Sequence, residues 1–272
     1  MEFMFQRPWL ALIFVALGVV EYLWRKHATV RGYDRGEVMA SLGIALGQAV
    51  IKPLSAVVIL AVMSLFGRIT PWQFPVDDWR TWVVGFVVLE FTYYWFHRTS
   101  HRVRWLWATH AVHHSATQMV LPAAIRLGWT GLISGGWLFF AALVLVGFPP
   151  IVVVTLNGIN LAYQYVLHTE AIRHLGPLEW VLNTPSHHRA HHSRETQWLD
   201  CNFGGVLIVF DRIFGTFVAE PRGRKLDYGL VHGEHSNNPF RIAFSEWRRL
   251  FADLKQEKHW RERWRIISGP PA

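Results

Sequence analysis

Charge is scarce in this chain. Asp, Glu, Lys and Arg make up 17% of its 272 residues, where a soluble domain carries about a quarter. Cysteine is scarcer still: Cys201 stands alone, so no internal disulfide can form and no thiolate metal site can be assembled. Several catalytic signatures are missing as well. Without HExxH the usual helical zinc-hydrolase site is absent, and without GxSxG there is no nucleophile elbow. No GxGxxG run and no haem- or flavin-binding motif occurs, which excludes a dinucleotide or redox prosthetic group held by a familiar motif. Internal repeats and low-complexity linkers are lacking too.

In their place stand apolar residues and histidine. The chain is 51% hydrophobic, with 15 Trp, 18 Phe and 15 His. At this length it is one domain or a small membrane protein, and the composition favours the second. Five stretches carry few or no charges: residues 8–24, 38–66, 82–96, 129–147 and 151–167. A helix crossing the hydrocarbon needs roughly 20 apolar residues. The first and fourth stretches fit, and the third and fifth are short enough to require a tilt. The second is interrupted by Lys52-Pro53, which predicts a kink or two half-helices; Lys52 is read as snorkelling. Arg25 and Lys26 follow the first stretch, and no small-residue cleavage site is seen, so it reads as a retained anchor.

Loop charges orient this layout. Residues 25–37, 97–116 and 169–272 hold four, three and fifteen Lys/Arg, whereas residues 1–8 and 67–80 hold three Arg balanced by three acids. Positive loops stay on the cytoplasmic side. The expectation is an all-α integral membrane bundle of about four to five membrane segments, capped by a cytosolic, helical, histidine-rich layer, with the C-terminus cytoplasmic. Residues 1–80 form N-terminal anchor helices, 81–230 a catalytic region and 231–272 a basic cytosolic tail. The net charge of +8 belongs to membrane orientation, and no nucleic-acid partner is expected.

The histidines fall into three clusters: His97 and His101; His110, His113 and His114; and His187, His188, His191 and His192. Spacings of three and four place side chains on one helical face. All three clusters lie on the proposed cytoplasmic side at membrane boundaries, and His168 joins them at the end of the fifth stretch. A lone histidine there is ordinarily an interfacial polar residue, but three clusters of matching spacing on one side are not accounted for that way. One zinc takes four ligands, or three plus water; eight or nine imidazoles argue for two metals, without selecting iron over Zn, Cu or Ni. His27, His174, His232, His235 and His259 lie outside the pattern.

Other residues draw structural readings first. Tyr93, Tyr94 and Trp95 suit an interfacial aromatic belt. Asn183-Thr184-Pro185 reads as a turn into a helix capped by Thr184 or Ser186. Asp200 and Asn202 follow the third cluster closely enough to take imidazole N–H groups. Arg126 interrupts an apolar run, where a lone cation needs an anion or water; it is a candidate for a substrate headgroup, with a structural salt bridge, for instance to Glu90, as the alternative.

These residues, in this order, resemble the fatty acid hydroxylase superfamily, also called the sterol desaturase family. The similarity runs from about Glu90 to Tyr228. It is carried by Phe96-His97-Arg98, Leu106-Trp107-Ala108-Thr109-His110-Ala111-Val112-His113-His114, Asn183-Thr184-Pro185-Ser186-His187-His188-Arg189-Ala190-His191-His192 and Asp211-Arg212-Ile213-Phe214-Gly215. Tyr163-Gln164-Tyr165-Val166-Leu167-His168 and Leu175-Gly176-Pro177-Leu178-Glu179 point to its alkylglycerol monooxygenase branch. The resemblance implies a membrane monooxygenase with two iron ions activating O2. Its implied ligands are His97, His101, His110, His113, His114, His168, His188, His191 and His192, with His187 in reserve. Gln164 stands where some relatives carry another histidine, leaving an amide, a water or an open position. Electrons then come from an external reductase or carrier, a pterin being one candidate, and the substrate is a lipid taken from the bilayer. Hydroxylation is expected ahead of desaturation. The oligomeric state is not legible. A zinc hydrolase wants the missing motifs, and a metal transporter wants ligands at mid-bilayer rather than flanking it.

Overall fold

A computed structural model describes residues 9–28, 32–233 and 235–271. Among them are eleven α-helices and no strand, only the isolated bridges Leu182↔Leu207 and Ser193↔Tyr228. The loop 1–8, assigned above to the outer face, lies outside the described residues.

Helix α1 (Trp9–Ala28) ends in Arg25, Lys26 and His27, where cations favour the negative end of the helix dipole. Helix α2 (Arg35–Ile69) begins at Asp34, whose carboxylate accepts the Glu37 N–H at 3.0 Å. It runs for 35 residues with Pro53 inside it, so of the two expectations at Lys52-Pro53 the pair of half-helices does not form. A proline removes one backbone hydrogen bond, and the helix continues beyond it for 16 residues, to Ile69. By length and composition α2 is the one described helix able to cross a membrane. Its Leu46, Val50 and Leu54 point outward, 70, 73 and 70% exposed.

Helix α3 (Trp79–Arg102) joins the third apolar stretch to the first histidine cluster in one element. Val103 alone separates it from α4 (Arg104–His114), which carries the second cluster. The fourth stretch departs from expectation. It breaks into α5 (Gly131–Ser134) and α6 (Leu138–Val146), with Gly135 and Gly147 at φ +77° and +114°. Nine residues make a helix of about 14 Å, against a hydrocarbon core of about 30 Å. Instead, α6 turns through Phe148-Pro149 into α7 (Pro150–Tyr165). This hairpin packs on α3 through Leu89, Tyr93, Phe140, Val144, Phe148 and Leu156. Two short helices follow, α8 (Pro185–His191) and α9 (Val209–Ile213). Helix α10 (Pro239–Gln256) lays Trp247 and Leu250 on Trp105 and Ala108 of α4, and α11 (Trp260–Ser268) adds Ile266 to that cluster.

Buried charge ties the distant parts together. Arg126 is fully buried: Nη2 donates to Glu37 Oε2 at 2.5 Å and to its carbonyl, and Nε donates to Ser41 Oγ at 2.9 Å. The expectation that Arg126 meets a substrate headgroup is thereby corrected. Its anion is Glu37, 89 residues away in sequence, and not Glu90, whose carboxylate has other donors. Arg126→Ala leaves Glu37 buried without its cation, a change that typically costs about 3–5 kcal/mol. Thermal unfolding in detergent or nanodiscs reads the loss; a cost below about 1 kcal/mol, the range of a surface pair, would contradict the assignment.

Candidate metal centre

Four helices place the imidazoles. His97 and His101 share a face of α3, and His110, His113 and His114 leave α4 at i, i+3 and i+4. His168 follows α7 by less than a turn. Pro185 opens α8, where the missing N–H costs nothing, and the helix delivers His188, His191 and, just past its end, His192. Thr184 occupies the N-cap position as expected, but its hydroxyl donates to Glu179 Oε1 at 3.2 Å and caps no backbone N–H.

The nine family-implied histidines converge in two adjacent groups, every one with its potential ligand atoms within 4.8 Å of the others in its group. One group is His97, His101, His110, His114 and His191; the other is His113, His168, His188 and His192. The groups meet where the His114 and His192 rings stack at 4.3 Å. His97 Nε2 lies 3.0 Å from His110 Nε2, and His188 Nε2 lies 3.1 Å from both His168 Nε2 and His192 Nε2. Two nitrogens each about 2.1 Å from one ion and at right angles to each other stand about 3.0 Å apart.

Three of the nine rings have their tautomer fixed by the backbone. His97, His168 and His191 each turn Nδ1 to a backbone carbonyl, of Phe203 (2.8 Å), Gln164 (2.8 Å) and Cys201 (2.7 Å). A carbonyl only accepts, so these Nδ1 atoms carry the proton and each Nε2 presents a lone pair to the centre. His101 Nδ1 faces the Asp200 carboxylate at 3.4 Å. The buried Nε2 atoms of His101 and His191 have no hydrogen-bond partner. Inward lone pairs on His97, His168 and His191, with the partnerless Nε2 of His101 beside them, suit a bound cation, so the residues fit a metal at each group.

Supports for these anchors come from outside the histidine clusters. Asp200 and Asn202 adopt left-handed backbone, φ 58° and 53°, on either side of Cys201, whose carbonyl holds His191. Such conformations persist where surrounding contacts over-determine them. Asp211 accepts the N–H groups of Phe203 and Gly204 at 2.7 Å, fixing the carbonyl that holds His97. Fully buried Glu90 accepts from Asn160 Nδ2 (2.6 Å), Val206 N (2.7 Å) and Leu207 N (3.0 Å). An acid inside an apolar run was the available signal for Glu90; nothing in the sequence marks Asn160.

The reserve residues take other roles. Gln164 does not face the rings: its amide oxygen accepts from Tyr93 Oη at 2.8 Å, its amide nitrogen donates to Asn160, and only its backbone carbonyl serves His168. His187 lies outside both groups, edge-on to Phe217. Asn202 meets no imidazole; it bonds the His187 carbonyl and both backbone groups of Val218. Asp200 alone stands where a partner to an imidazole was sought.

Burial holds all nine rings neutral. It is the largest cause in each case, and repulsion between the rings adds to it. His113 and His191 are pushed down to about 3 and His168 to about 4. Trp107, partly buried, closes the solvent side against His101 (5.1 Å) and His114 (5.5 Å).

Fold and site together define a helical protein with a paired polyhistidine centre. The fatty acid hydroxylase family model matches residues 82–216, the stretch that contains all nine rings. The chain belongs to this family. Over 174 residues it is 44% identical to alkylglycerol monooxygenase from Homo sapiens, covering 64% of this chain and 37% of that one. The Danio rerio alkylglycerol monooxygenase is 45% identical over 160 residues, 59% of this chain and 35% of its own. An ornithine lipid hydroxylase from Rhizobium tropici is 28% identical over 195 residues, 72% and 57% respectively. The chain thus spans little more than a third of the length of these alkylglycerol monooxygenases. No solved structure matches it.

Neutral burial sets a pH dependence. An unfolded histidine takes up its proton near pH 6.5, whereas the folded rings stay neutral until far lower. Below that pH the unfolded state binds more protons, so stability falls as pH falls. Without added metal, stability should be flat from pH 8 to 7 and decline steadily from about 6.5 towards 4, where His168 itself protonates. Denaturant midpoints across that range test this. Equal stability at pH 7 and pH 5 would rule out the neutral cluster.

Proposed function

We propose that the chain is a multi-pass membrane, dinuclear iron oxygenase that hydroxylates a lipid or another long apolar substrate with O2. The observation that carries the proposal is the division of nine buried imidazoles into groups of five and four, with the lone pairs of His97, His168 and His191 facing inward. The named activities of relatives, alkylglycerol monooxygenase and ornithine lipid hydroxylase, supply the reaction type and the lipid class. In this reading His97, His101, His110, His114 and His191 hold one iron, and His113, His168, His188 and His192 the other. The ions supply the dioxygen activation that side chains cannot.

The remaining work falls to the chain. Carbonyls of Gln164, Cys201 and Phe203 and the carboxylate of Asp200 keep protons on Nδ1 and so aim Nε2. Tyr93, Phe203 and Trp107 exclude water around the rings. Electrons arrive from a separate reductase or carrier. Residues 1–80 anchor the protein, 81–230 form the catalytic region, and 231–272 dock on the second-cluster helix. In this reading α1 and α3 cross the membrane beside α2, the one helix long and apolar enough by itself, and the α6–α7 hairpin enters without spanning it, with the histidines and C-terminus on the cytoplasmic side. Outward apolar side chains on α1, α2 and α3 support that placement.

Protein purified anaerobically with iron should carry about two ions per chain, the number of coordination groups argued above. His110→Ala or His191→Ala should lower that content and abolish turnover. With 18O2 and a reductant, one labelled oxygen should enter the lipid product. Label from water in place of dioxygen would reject the oxygenase, and loss of two hydrogens without oxygen insertion would make it a desaturase.

A further inference from the structure

An apolar lip on the chain just before the third histidine cluster is used by nothing described so far. Leu178, Trp180 and Val181 are 55, 68 and 51% exposed, and Ile213 at the end of α9 is 64% exposed. The two pieces are one unit. Ile208 N donates to the Val181 carbonyl at 2.9 Å, Leu182 bridges Leu207, and Arg212 donates to the Glu179 carbonyl at 3.0 Å. The Arg212 guanidinium also lies 4.8 Å from the Trp180 ring and 3.7 Å from Phe217. A contiguous exposed apolar patch of this kind marks an interaction surface.

The adjoining face of α3 points to what covers it. On α3 the outward residues Val83, Val84, Val87 and Phe91 are 53, 52, 48 and 41% exposed. Phe91 meets Phe210 at 5.6 Å and Phe214 at 6.3 Å, at the foot of the lip. The outward face of the helix proposed to cross the membrane therefore continues into the lip without a polar break. At the same level Arg98 lies 5.4 Å from Trp95. Aromatic rings and snorkelling cations in that juxtaposition characterise the membrane–water boundary. Behind the lip, Phe214 stacks on buried Tyr94 at 5.2 Å, Tyr94 meets Phe203 at 6.1 Å, and Phe203 touches the His97, His101 and His191 rings at 5.2–5.9 Å.

We propose that this lip, Leu178–Val181 with Ile213 and Phe214, is immersed in the bilayer interface and seats the histidine centre directly against the lipid. Its occupant is the acyl region of the membrane rather than a protein. The proposal rests on the membrane placement above and adds that the histidine-bearing layer itself enters the lipid, through a loop outside the proposed crossing helices. Three aromatic layers then separate the acyl chains from the imidazoles, the shortest approach for a substrate that never leaves the membrane.

The test uses the full chain in phosphatidylcholine–phosphatidylglycerol nanodiscs, in a Cys201→Ser background with metal content checked. Nitroxides are attached singly at Leu178→Cys and Ile213→Cys, with Val57→Cys on α2 as the lipid reference and Lys258→Cys as the water reference. Relaxation by oxygen should exceed relaxation by a water-soluble nickel chelate severalfold at 178, 213 and 57, with the reverse at 258. Adding Trp180→Glu should shift the label at 213 towards the aqueous value. Labels at 178 and 213 that read as aqueous while 57 reads as lipid would overturn the lip and leave the membrane placement standing. An aqueous reading at 57 would overturn the membrane placement itself. Labels at 178 and 213 shielded from both reagents would mean a protein covers the lip, and the proposal fails.

Discussion

The aim of nine buried imidazoles at two shared points is the constraint around which this protein is organised. Their Nε2 atoms stand about 3 Å apart, and on His97, His168 and His191 the proton is held on the other nitrogen. Hydrophobic collapse alone would turn them aside. The fold answers with fixed acceptors on the far side of several rings: the carbonyls of Gln164, Cys201 and Phe203 and the carboxylate of Asp200. Those acceptors need holding in turn, which explains the left-handed backbone at Asp200 and Asn202 and the grip of Asp211 on Phe203.

That requirement reaches into the apolar half of the molecule. Glu90, two turns before His97 on α3, is tied to Asn160 and through it to Gln164, whose carbonyl orients His168. The same carboxylate takes the Val206 and Leu207 N–H groups, on the loop that carries Cys201 and Phe203. One buried acid thus braces α3, α7 and the anchoring loop against each other. Burying it unpaired would be expensive, but with three donors it is satisfied. Gly205 lets the loop come this close, since a Cβ there would stand 2.0 Å from the Asn160 amide nitrogen.

How much of this could be read in advance followed the range of the interaction. The histidine clusters were legible because i, i+3 and i+4 spacing is a local property, and all nine implied ligands converge. Their division into five and four was not, because α4 and α8 each send rings to both groups and only the crossing of helices decides which. Arg126 was read as either a headgroup contact or a structural ion pair, and its anion could not be named because Glu37 lies 89 residues away. The fourth apolar stretch looked like one span because hydropathy counts glycine as neutral, whereas Gly135 and Gly147 adopt backbone that ends helices. Asn160 carried no local signal at all.

The sharing of helices between the two groups bears on how such a centre fills. His110 and His114 serve one group and His113, on the same turn of α4, serves the other; α8 divides His191 from His188 and His192 in the same way. An ion held in either group would fix rings on both helices and so restrict the rings of the other group. Filling of one group would then favour filling of the other, and the two sites would bind cooperatively.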